Sequence, residues 1–130
     1  MAEFSSAAIN AMLDWLVGNA TPAAVATRYI TVFNGDPTSG GTEVINTITG
    51  SANRQNMTTA MAAAAAGAVA SDTLITFTTN AAGGATVNYI AVYDAQTGGN
   101  LLAYTPVTSK TVAAGDGLSI LSGNLTFSIT

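Results

Sequence analysis

Apolar and polar positions change their period once along this chain. From Ser5 to Val17, Ile9, Met12, Leu13 and Leu16 fall at i, i+3, i+4 and i+7, one stripe of a helix. Ser5 or Ser6 suits its start, where a hydroxyl accepts from the free amides of the first turn. Gly18 suits its end, where a residue must turn left-handed. Trp15 lies off the centre of the stripe and, with Phe4, widens the apolar surface. A helix of this length is marginal alone, so it must pack on its own domain or, as an arm, on a neighbouring subunit. After the connector 19–27 the pattern becomes that of strands. Arg28–Phe33 and Thr73–Thr78 are dense in β-formers, and Glu43–Ile48 reads as a short strand. Val107–Val112 reads as an edge strand carrying Lys110. Leu118–Leu121 and Leu125–Ile129 read as a last hairpin around Ser122-Gly123-Asn124. Met57–Ala70 is ambiguous: alanine favours helix, but the shortness of the run, Gly67 and the flanks Thr58-Thr59 and Val69 predict a strand running into a loop, with an Ala-rich helical turn as the alternative.

The centre of this pattern is Val87–Thr105. Two apolar, aromatic-bearing runs flank Asp94–Gly99, whose aspartate and paired glycines suit a hairpin loop. In the first run Tyr89, Ala91 and Tyr93 point one way, and Asn88, Ile90 and Val92 the other. Both faces are mostly apolar, so the strand is covered on both sides. One cover is the domain core; the other is a second sheet, the N-terminal helix or another copy of the chain. About seven or eight short strands with turn signals between them predict a mainly β fold. The expected architecture is a single antiparallel β-sandwich over 21–130, jelly-roll or immunoglobulin-like, preceded by a helical arm over 1–20.

Composition sharpens this picture. Charged residues make up 8% of the chain, against roughly 25% in an average soluble domain. Such a surface is protected by Thr, Ser, Asn and Gly, or is buried in an assembly. Self-association, with a trimer expected, follows from that shortage and from the two-sided strand. The candidate contact residues are Phe4, Ile9, Met12, Leu13, Trp15 and Leu16 of the arm, with Tyr89, Ala91 and Tyr93 of the central strand. A net charge of −4 without a basic cluster argues against nucleic acid and against anionic membrane surfaces. Met-Ala-Glu-Phe has no basic segment before an apolar run, so no signal peptide is expected.

The inventory for chemistry is thin. There is no His and no Cys, which excludes Ser-His-Asp and Cys-His nucleophile systems and Cys metal sites. Asp36, Asp94 and Asp116 each stand in a predicted turn, where backbone hydrogen bonding explains an aspartate. No cofactor, metal or catalytic residue is expected. A small hydrolase built on those aspartates remains the contrasting reading.

Several blocks in a fixed order resemble a known group. LDWLVGNA is followed by RYITVFNGDPT, GGTEV, ANRQNMTT, YIAVYDAQTGGNLLAYTPV, SKTVAAGDGLSI and NLTF. This order is similar to that of small virion proteins of tailed bacteriophages, among them tail fibre proteins and capsid decoration or cement proteins. The resemblance implies a structural protein made in the host cytoplasm and resident in the virion, with the major capsid protein or other virion proteins as partners. The low charge, the two-sided strand and the apolar helix favour a cement role between capsid subunits, and predicted loops of Gly, Thr, Ser and Ala without Trp or Tyr weigh against the alternative, a tail-fibre or receptor-contact module. The resemblance carries no catalytic residues.

Overall fold

A computed structural model describes residues 3–20, 27–77 and 83–128. The chain is mainly β, with antiparallel sheets and one N-terminal helix of three turns. Ten strands are described, most of them two or three residues long. The main sheet holds β1 (Glu3–Phe4), β8 (Leu101–Val112), β7 (Ala85–Tyr93), β2 (Tyr29–Asn34) and β3 (Thr42–Glu43) in that order, and β4 (Gln55–Asn56) also pairs with β2. Two small ladders complete the fold: β5 (Ala68–Ala70) with β10 (Thr126–Ser128), and β6 (Ile75–Phe77) with β9 (Leu118–Ile120).

The core lies between the main sheet and the two ladders. Ile30 and Val32 of β2, Val87 and Val92 of β7, and Ala103 of β8 meet Phe77 and Phe127 from the ladders. Val87 and Ile90 both face this core although three positions apart, because the pairing with β8 is irregular at Asn88. Asn88 is thereby freed to hold the next loop, its Oδ1 accepting from Gly35 N at 2.6 Å. The buried Ser71 ties the ladders together: its Oγ accepts from Gly123 N and Leu125 N.

Four expectations from the pattern need correction. Glu43–Ile48 is not a strand: β3 stops at Glu43 and α2 (Ile45–Thr49) follows. Ile45 and Ile48 are both buried, and their spacing of three puts them on one helical face, which outweighs their β-branched preference. Val107–Val112 is no separate strand but the far half of β8, although Lys110 does stand where no outer strand pairs with it among the described residues. The last two runs do not form a hairpin: Leu118–Ile120 pairs with β6 and Thr126–Ser128 with β5. Their partners lie far back in the chain, so local turn chemistry could not identify them. The alanine-rich segment begins as a 3-10 turn (Thr58–Ala60) and then doubles back at Ala66-Gly67. Both residues have positive φ, 52° and 77°, and Ala65 and Ala68 exchange two backbone hydrogen bonds, as in a primed two-residue turn. Thr78 and Ile129, expected to be strand residues, lie outside the described residues, as does most of the connector 19–27.

Candidate interaction site

The N-terminal helix, α1 (Ser6–Leu16), is positioned by its two ends. Before it, Phe4 pairs with Ala103, and Ser5 N donates to Leu102 O at 2.7 Å, which fixes the entry of the chain onto β8. Ser5 Oγ accepts from Ala8 N at 3.2 Å and caps the first turn. At the other end Gly18 takes φ +78°; Gly18 N donates to Trp15 O and Asn19 N to Asp14 O, the Schellman pattern.

No residue of this helix is buried. At 100° per residue, Ala8, Ala11 and Met12 share the side that faces the body of the protein, and these three line the space beneath the helix. Ile9, Leu13 and Leu16 point aside or away and are 42%, 52% and 71% exposed, while Trp15 shares the azimuth of Ala8 and Ala11 but, at the far end of the helix, is 58% exposed. Of the stripe that the sequence shows, Met12 borders the groove, while Ile9, Leu13 and Leu16 are not packed on the chain's own core. Beneath the helix is an open apolar groove of about 490 Å³, walled by Phe4, Met12, Val69, Leu102 and Phe127. Stripe and groove adjoin one another.

Tyr89, Ala91 and Tyr93 lie on the opposite face of the sheet. The nine candidate contact residues thus divide between two places. Phe4, Ile9, Met12, Leu13, Trp15 and Leu16 cluster around α1; the other three do not join them. Ala91 is fully buried inside the protomer, and both tyrosines are half-buried.

That second face is closed from within the chain by two residues that periodicity did not single out. Glu43 sits in register opposite Phe33, and Arg54 just precedes β4, so both stand at the outer edge of β2. Arg54 Nε donates to Glu43 Oε1 at 2.8 Å and its Nη2 to Oε2 at 3.0 Å, a two-pronged ion pair. Its Nη1 donates to Ala95 O and Gly98 O of the β7–β8 loop. The guanidinium carbon lies 3.6 Å from the centre of the Tyr93 ring, which in turn stacks with Phe33. Thr31, fully buried, donates from Oγ1 to Glu43 at 2.6 Å. Burial pushes the Glu43 carboxyl up, but hydrogen bonds from Arg54 and Thr31 and the Arg54 charge outweigh it and hold the group below its ordinary value. Burial raises the Tyr93 hydroxyl, against the pull of Arg54. The visible hint was charge scarcity: in so apolar a chain, GGTEV and ANRQN each carry a single charge, of opposite sign.

Two of the predicted turn aspartates, Asp36 and Asp94, hold their turns with their carboxylates, and the third, Asp116, sits in a turn through its main chain. Asp36 Oδ1 accepts from Thr38 N and Oγ1, both at 2.7 Å, and these bonds lower its pKa. Asp94 Oδ1 accepts from Asn100 N at 2.7 Å, and its Oδ2 from Asn100 Nδ2 at 3.0 Å, with the same effect. Asp116 N donates to Ala113 O in the β8–β9 turn. Among the described residues no three His, Cys, Asp or Glu side chains gather as a metal site, and no helix is long and apolar enough to cross a membrane.

A small β domain whose polar groups are spent on its own turns, with an apolar helix left uncovered, has the surface of an assembly component. The comparisons give the class: a structural protein of the tailed-phage virion. The chain belongs to the family described as podophage GP4 fiber I protein gp80, whose family model matches residues 3–128. No curated protein matches the chain.

Proposed function

We propose that the protein is an assembly subunit of the phage particle, working by contact alone and held to its neighbours through α1. The observation that carries this reading is the helix stripe: large apolar side chains, 37–71% exposed, beside an apolar groove. Monomeric proteins rarely leave such a patch uncovered. The family supports a place in a fibre. A second reading, capsid decoration or cement between capsid subunits, is favoured by the lack of any internal repeat along which a shaft would grow. In either place the neighbours are further copies of the chain, in a homotrimer, and the major capsid protein or other virion proteins. Immunogold labelling of purified particles tests the reading. Label along fibres supports the first placement and label on the head the second. Label on infected cells but never on particles overturns both.

A further inference from the structure

The exposed stripe of α1 and the groove beneath it belong to one molecule but do not fill one another. The groove, about 490 Å³, has room for two or three large apolar side chains, at roughly 100–200 Å³ each in a close-packed interior. The helix offers side chains of that size at its far end, Trp15 and Leu16, with Leu13 and Val17 beside them. We propose that α1 is a self-association arm whose Trp15–Leu16 end seats in the α1 groove of a second copy of this chain. The proposal deepens the reading of the protein as an assembly subunit and rests on it.

Two observations favour a second copy as the occupant. The first is area. Ile9, Met12, Leu13, Trp15, Leu16 and Val17 together expose roughly 650 Å², close to the roughly 800 Å² that each partner buries in a stable interface of ordinary size. The second is charge. The only charged residue of α1 is Asp14, and among the described residues the only charged one lining the groove is Arg28, of opposite sign. An arriving helix therefore meets no like charge, although the chain as a whole carries −4. A contact of helix to groove that is not returned by the same partner is head-to-tail, and such contacts form a ring when the rotation between copies closes. A ring of three fits the trimer proposed above.

Sedimentation of the full chain at micromolar concentration, with two variants, tests this. Leu16→Glu spoils the arm and Ala64→Glu spoils the groove wall; both positions are exposed, so circular dichroism should show two folded proteins. The wild type should sediment as an oligomer. Each variant alone should weaken association by at least about tenfold, since a charge enters an apolar contact. An equal mixture should regain mixed pairs, because the arm of one variant and the groove of the other are intact. A monomeric wild type overturns the proposal, as does an oligomer indifferent to Leu16→Glu, or one that Leu16→Glu breaks and Ala64→Glu does not. A monomer still incorporated into particles overturns the self-contact alone, and names another virion protein as the occupant. An oligomer absent from particles leaves the self-contact standing and removes the virion reading.

Discussion

Replacing Arg54 by methionine keeps most of its volume and removes everything polar that it does. Arg54 is 7% exposed and joins the edge of β2 to the β7–β8 loop by two bonds to Glu43 and two to carbonyls. Breaking a buried ion pair by deleting one member costs about 3–5 kcal/mol, because the other charge is stranded. The Glu43 side chain keeps 28% of its exposure, so water recovers part of that loss and the lower end of the range applies. The two carbonyls lie at the surface loop and are rehydrated at small cost. A loss of about 3 kcal/mol follows, which in a chain of this size lowers Tm by roughly 10 °C. A thermal melt followed by circular dichroism measures it. The Glu43→Gln partner completes a double-mutant cycle, and the double variant should be less damaged than the two losses added, by about 1 kcal/mol or more. Arg54→Lys should fall between, since an ammonium cannot make the two-pronged contact or stack on Tyr93. A Tm for Arg54→Met within about 2 °C of wild type, or a cycle without coupling, would refute the idea that this network holds the second face shut.

Glu43, Asp36 and Asp94 all have lowered pKa values when folded, so each stabilises the fold above its unfolded pKa and loses that contribution as pH falls through the folded one. Urea midpoints should therefore be flat near neutrality and decline below about pH 4.5; midpoints that rise on acidification would contradict the assignment. Asp94→Asn should keep the bond from Asn100 N and lose the one from Asn100 Nδ2, a small loss of about 0.5–1.5 kcal/mol at neutral pH. Gly99→Ala should instead cost about 1–2 kcal/mol in a urea titration, since φ is +73° and a Cβ would press on Asp94 and Ala95. Val92→Asp should abolish the thermal transition, because Val92 is 6% exposed and an unpaired charge would enter the core.

What could be read in the sequence was local. The helix, its Ser5 cap and its Gly18 stop depend on neighbours within four residues, and the structure places them as the pattern demands. The β7–β8 hairpin was legible for the same reason, as was the role of Asp94 in its loop. The ladders were not: Phe127 meets Val69 and Phe77 meets Leu118, pairings chosen by packing across the core and not by any turn. The stripe on α1 was visible, but not its direction. Large residues at helical spacing suggest a core-facing side, whereas here Ala8, Ala11 and Met12 face inward and Ile9, Leu13 and Leu16 face out. The apolar second face of Tyr89–Tyr93 was also visible, while its cover, an ion pair between residues eleven apart, became apparent only through the register of β3 and β4 on β2.

The central claim is that α1 is a contact element of the particle. A reconstruction of the virion resolved to side chains would test it most directly. A copy of this β domain should then stand in a fibre or on the shell, with Leu13, Trp15 and Leu16 covered by a protein neighbour. A copy whose helix faces open solvent on every side, while the domain is attached through another surface, would contradict it.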